Sequence, residues 1–167
     1  LDQLATAADG KGKALWFDTG DELEALRADT IAREFERPVV VVGSGREFRR
    51  LSAIKSSGRA MVVPLNFAER PRVTTQGEAE SVELERMMMW EQGPTNPRRL
   101  AQAGVEFALT TSKVPDKLGG RAGFAEKLRT AVKHGLTADQ ALTALTVTPA
   151  KLLGVQDRLG LLQKGKM

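Results

Sequence analysis

The sequence predicts an α/β fold built on about four parallel strands joined by crossover helices. Three observations carry this. Short apolar runs rich in β-branched residues stand at 14–17, 39–42, 60–65 and 105–110. Stretches with apolar residues at helical spacing follow each of them, and turn residues sit where the two meet. The run Val39-Val40-Val41-Val42 is apolar on both faces, as a parallel strand covered by helices must be.

Composition sets the frame. The chain has 167 residues, enough for one ordinary domain over 1–167 with a real core. Apolar residues make up 41% and charged residues 28%, a globular balance rather than a disordered one. No apolar run approaches the roughly 20 residues of a membrane helix. The net charge of +4 could suit nucleic acid, but the basic residues are scattered. The densest group, Arg46, Arg49 and Arg50, has the single aromatic Phe48 among it and reads as a solvated helix face. Neither a membrane nor a nucleic-acid partner is therefore expected. The chain opens LDQLATAADGKGK, without Met and without the features of a signal peptide, so residues are expected upstream. Cysteine is absent, which excludes disulfides and thiolate metal sites and favours the cytoplasm without fixing the compartment. There is a single histidine, His134, and no tyrosine, so the usual kit for acid–base chemistry is nearly empty.

Taken in order, the first strand ends at Asp18-Thr19-Gly20, and Thr19 with Glu22 has the spacing of a capping box. The helix that follows is expected to bury Leu23, Leu26, Ile31 and Phe35 until Pro38 stops it. The second strand closes at Gly43-Ser44-Gly45. Phe48, Leu51 and Ile54 then recur at helical spacing up to Ser56-Ser57-Gly58. After the third strand, the polar segment 66–80 with Pro71 reads as a loop. Ser81 starts a helix carrying Leu84, Met87, Met88 and Glu91 along one side. Asn96 caps another, with Pro97 in its first turn and Gly104 past its end. Beyond the fourth strand come three helical pieces. The first has Phe124, Leu128 and Ala131 inward and stops at Gly135. The second opens on the Thr137–Gln140 capping box and buries Leu142 and Leu145. The third begins at Thr148-Pro149 and ends at Gly154. This order is compatible with a small doubly wound sheet or with half of a (β/α)8 barrel.

The C-terminal stretch GLTADQALTALTVTPAKLLG, residues 135–154, resembles the last helices of the amidohydrolase superfamily, most closely its imidazolonepropionase-like branch. The following LGLLQKGKM is similar to the segment that leads out of that barrel. Working backwards, GVEFALTTS resembles the eighth barrel strand, AMVVPL the seventh, VVVVGSG the sixth and ALWFDTG the fifth. The resemblance implies the C-terminal half of a TIM-type (β/α)8 barrel, with strands one to four lying outside this chain.

It also implies a divalent metal such as zinc at the C-terminal ends of the strands, activating water for hydrolysis of cyclic amide C–N bonds. The ligands implied for this half are a His each on strands five and six and an Asp on strand eight. The sequence departs from all three. Phe17 or Asp18 stands at the end of the fifth strand, Ser44 within Gly43-Ser44-Gly45 at the sixth, and Ser112 after Thr111 at the eighth, with Lys113 next. A hydroxyl is a poor replacement for a ligating carboxylate, and a cation beside it opposes a metal. No metal or other cofactor is therefore expected in this chain.

Asp18 and Asp116 read as turn or cap residues, and His134 as a group suited to the negative end of a helix. Met87-Met88-Met89-Trp90 reads as helix packing. Gly43-Ser44-Gly45 offers a weak anion-binding pattern, since it lacks both a third glycine and a P-loop lysine. Lys113, at a barrel mouth, could bind an anionic group or act as a base, but a solvated loop residue is the better reading. Three functions remain in play: a metal-dependent hydrolase completed by its N-terminal half, a non-catalytic amidohydrolase-like scaffold, and a small anion-binding α/β module. Because half a barrel exposes strand edges and apolar surface, a partner is expected, either the missing N-terminal half or a second copy in a homo-oligomer; the alternative is rearrangement into an open doubly wound sheet.

Overall fold

The computed structural model describes residues 14–114 and 120–166. The first 13 residues and Asp116 lie outside these. Strands β1 (Leu15–Asp18), β2 (Val39–Val42), β3 (Ala60–Pro64) and β4 (Phe107–Thr110) form one sheet in the order β1-β2-β3-β4. All neighbouring pairs are parallel, and Asp18, Val42, Val62 and Ala108 lie in one row across the sheet. This order never reverses. A doubly wound sheet starts at its centre and turns back, whereas a barrel adds each strand to the same edge. With right-handed crossovers, adding strands in one direction stacks the helices on one face. The fold is α/β, a four-stranded parallel sheet consistent with part of a TIM-type barrel.

The crossovers are α1 (Glu22–Glu34), α2 (Leu51–Ser57), and between β3 and β4 three helices, α3 (Gln76–Glu80), α4 (Leu84–Gln92) and α5 (Asn96–Ala103). After β4 come α6 (Gly120–Lys133), α7 (Ala138–Leu145) and α8 (Val147–Leu152). Alternation along the strands sends Val39, Val41, Met61, Val63, Phe107 and Leu109 into one cluster with Ile54, Leu100, Ala131, Leu136 and Ala141 from the helical layer. The opposite face carries Trp16, Val40, Val62 and Ala108, and Trp16 there is 46% exposed. In a closed barrel, that face lines the interior.

Several local expectations hold. The Thr137–Gln140 capping box forms, Ala131 is fully buried, and Gly104 and Gly135 close their helices with positive φ. Others need correction. Asp21, not Thr19, caps α1, accepting from the Leu23 and Glu24 N–H groups, while the Thr19 hydroxyl donates to Val42 O. The buried face of α1 is Ala25, Ala28 and Ala32, and Leu23, Ile31 and Phe35 are exposed. Small side chains let a helix axis lie close to the sheet, so the alanines take the inner face and the bulkier residues turn outward.

Similarly, α7 buries Ala141 and Ala144 and leaves Leu142 outside. The segment read as a loop contains α3, opened by a capping box between Thr75 and Glu78. Ser81 ends α3 rather than starting the next helix. On α4, Met89 is the buried residue, while Leu84 and Met87 are exposed. Asn96 opens α5 without capping it, because it already has helical backbone angles and the N-cap position falls to Thr95. No helix among the described residues is long and apolar enough to cross a membrane.

Candidate functional site at the strand ends

Parallel strands bring their C-terminal ends to one edge, and the three positions singled out from the sequence all lie there. Asp18 is the last residue of β1, Ser44 follows β2 by two positions, and Ser112 follows β4 by two. The ladder runs one rung beyond the strands, with Thr19 N–H donating to Val42 O at 3.0 Å and Gly43 N–H to Val62 O at 2.8 Å. These rungs fix the carbonyls of Thr19 and Gly43 at the mouth.

Lys113 joins them. Its Nζ stands 2.7 Å from Thr19 O, 3.1 Å from Gly43 O and 2.5 Å from Asp18 Oδ1. Two of the ammonium's N–H donors go to the carbonyls, and Asp18 stands beside them as its ion-pair partner. Lys113 is an exposed turn residue, as expected, but its side chain is 27% exposed and ties the end of the fourth strand to those of the first two. Asp18 is 70% exposed, so the ion pair itself contributes about 1 kcal/mol or less. Lys113 holds a left-handed backbone with φ 62°, which costs a non-glycine residue about 1 kcal/mol. Asp18, read as a turn or cap residue, is a partner in this bridge, and capping falls to Asp21.

The second structure at the mouth is anionic and buried. Glu47, fully buried, accepts from Ser44 N–H at 2.7 Å, Gly45 N–H at 3.0 Å and Asn96 Nδ2 at 2.6 Å. The backbone donors of Gly43-Ser44-Gly45 that could bind a phosphate are therefore filled by the chain's own carboxylate. The glycines have a steric reason as well. A Cβ at Gly43 would run into the Glu47 carboxylate, and one at Gly45 into the Asn66 amide. Ser44 is buried in this turn, with its hydroxyl accepting from Arg46 N–H at 3.3 Å. Ser112 is exposed, its N–H donating to the Thr110 hydroxyl at 3.1 Å.

Around these lies a cleft of about 350 Å³, bounded by Ser44, Asn66, Lys113 and, from α4, Arg86 and Met89. Arg46 and Arg49, expected on a solvated face, instead pair with Glu85 of α4, and Arg49 also reaches the buried Glu22 at 3.3 Å. His134 lies far from this arrangement along the sequence, its Nδ1 2.8 Å from Thr130 O in the last turn of α6. Of the Met87–Trp90 patch, Met89 packs inward.

A divalent metal would need several anionic or imidazole donors converging here. Among the described residues, no group of three or more His, Cys, Asp or Glu side chains could hold one. Asp18 faces an ammonium, and Glu47 is turned into a closed loop. These side chains do not fit the metal that the resemblance implies. The residues that sequence reasoning missed are Glu47 and Asn96. A charged residue in the short Phe48–Ile54 helical pattern carries no sign of burial, and only the glycines beside it hint at a tight turn.

The comparisons with known proteins agree with this architecture. A model described as the Amidohydrolase family matches residues 59–167, well over half of the chain. The chain belongs to the amidohydrolase family. Among solved structures, it is similar to an amidohydrolase from Thermotoga maritima MSB8, with TM-score 0.68 and 22% identity over 92% of this chain and 36% of that one. A second amidohydrolase matches with TM-score 0.56 and 21% identity over 95% of this chain and 37% of the other. The chain thus spans little more than a third of the amidohydrolases it resembles. No curated protein sequence matches it significantly.

Proposed function

We propose that this chain is the C-terminal half of an imidazolonepropionase-like barrel, strands five to eight, and that it does not hydrolyse amides on its own. Asp18, Ser44 and Ser112 stand in this reading where the family places metal ligands, and none of them supplies one. The observation that carries it is Lys113, whose ammonium lies among the strand ends with Asp18 as its counter-ion. The family activity, metal-dependent hydrolysis of a cyclic amide, would depend on ligands from outside this chain. A scaffold role within a larger assembly is the function that remains. The filled Gly43–Gly45 turn argues against an anion-binding module.

Metal analysis of the purified chain, run beside an assay for cyclic-amide hydrolysis, tests this. The expected result is no stoichiometric zinc, manganese or iron and no turnover above the blank. Bound metal with turnover would overturn it.

The partner in this reading is the missing N-terminal half. Trp16 on the open face, and Leu23, Ile31 and Phe35 along the outer side of α1, are exposed where a preceding strand and helix would pack. Light scattering on the chain alone should find self-association, a second copy covering the same surface. A monodisperse monomer whose edge amides exchange freely would count against it.

A further inference from the structure

We propose that the mouth of the sheet is a built oxygen cage for one primary ammonium group, filled by Lys113, and that it accepts a small free alkylammonium ion when that side chain is removed. The cage consists of Thr19 O, Gly43 O and Asp18 Oδ1, at 2.7, 3.1 and 2.5 Å from Nζ. Both carbonyls belong to peptide units whose neighbouring N–H groups are locked into the ladder, so they keep their places whether or not the ammonium is present. Two neutral carbonyls and one carboxylate give a net charge of −1, the complement of a monovalent cation that donates to the carbonyls and pairs with the carboxylate. A fully alkylated cation could satisfy the charge but could not donate hydrogen bonds to the two carbonyls. The backbone gives an independent sign. Lys113 holds φ 62°, in the region that side-chain-bearing residues avoid. Strain of this kind persists where surrounding contacts over-determine the conformation, and the contacts here are those of the ammonium.

The inference rests on the account of the mouth given above but is separable from it. Failure of the proposed function would appear as bound metal and turnover, whereas failure here appears in melting behaviour and lysine reactivity.

The test is thermal melting of the wild type and Lys113→Ala in increasing methylammonium chloride, with tetramethylammonium chloride at equal concentration as the control. The control carries the same charge without N–H donors. The variant should melt several degrees lower. Methylammonium should raise its melting temperature along a saturating curve, as for any ligand that binds only the folded state, while the control should not. The wild type should respond alike to both salts. An equal response of the variant to both salts, or a methylammonium-specific response of the wild type, would overturn the proposal.

If Lys113→Ala does not fold, amine acylation of the wild type mapped by mass spectrometry decides the matter. Lys113 should react much more slowly than the exposed Lys55 and Lys133, and Asp18→Asn should speed it. Equal reactivity of the three lysines would sink the idea.

Discussion

Glu47 and Asn96, 49 positions apart, meet in a buried hydrogen bond of 2.6 Å, and through it α5 is fastened to the turn that ends β2. The same carboxylate holds the Ser44 and Gly45 N–H groups, so one side chain organises two connections at the mouth.

Glu47→Ala should therefore be among the more damaging single changes outside the apolar core. It leaves two backbone donors and the Asn96 amide without their acceptor, at a cost of about 1–3 kcal/mol for each buried unsatisfied group, not fully additive. Glu47→Gln keeps an acceptor of the same shape and should lose less. Gly43→Ala, which pushes a Cβ against this carboxylate, should lose stability by the same route. In the double variant with Glu47→Ala, the Gly43→Ala penalty should largely vanish. Urea unfolding of the wild type, Glu47→Ala, Gly43→Ala and the double variant checks this, and simple additivity would show that the contact is not shared.

Acid sensitivity should centre on Asp29, at the opposite end of the fold. Its carboxylate is 13% exposed and lies 2.7 Å from Arg59 Nε and 2.9 Å from Arg33 Nε. Burial alone would raise its pKa, but the hydrogen bonds and charges of Arg59 and Arg33 outweigh that and hold it below the usual value. A depressed folded-state pKa means the unfolded chain binds the proton first. The stabilisation is then complete above the ordinary carboxylate value of about 4 and is lost as pH falls through the lower folded value. Asp29→Asn should be less stable than wild type at pH 7, and the gap should close in acid. Urea midpoints measured from pH 7 down to 2.5 would show a constant gap if Asp29 were not the group responsible.

On α1, the two faces should respond in opposite ways. Ala28→Leu or Ala32→Leu forces bulk between helix and sheet and should cost about 1–3 kcal/mol. Phe35→Gln on the outer side should cost under about 0.5 kcal/mol in the isolated monomer, while reducing any concentration-dependent association. Melting curves at two protein concentrations separate the effects.

The strands and the tail helices were legible because their signals are local. A Val39–Val42 run can hardly be anything but a buried strand, and Thr137 with Gln140 both caps and reads as a cap. Where the sequence misled, a stronger-looking signal hid a weaker true one. Thr19 and Glu22 have capping-box spacing, but Asp21 sits closer to the helix and takes the donors. Leu23, Ile31 and Phe35 look like a core stripe because alanine hardly registers in an apolar pattern, yet the alanines pack. Thr75 and Glu78 were readable as a cap and were masked by the polar run around them. The mouth was the least legible part. Nothing local says that Lys113 takes a left-handed backbone or that Glu47 is buried, since both depend on partners in distant strands and helices.

The sequential strand order carries a kinetic consequence. Each strand joins the one before it, so the sheet can assemble by closing one chain loop after another in sequence order, which is entropically mild. The bond from Lys113 to Thr19 bridges 94 positions and can form only after the last strand has docked. It belongs to the late side of the folding barrier, where an interaction slows unfolding and leaves the refolding rate nearly unchanged. The lysine at the mouth is thus a latch on the lifetime of the finished fold rather than an aid to reaching it.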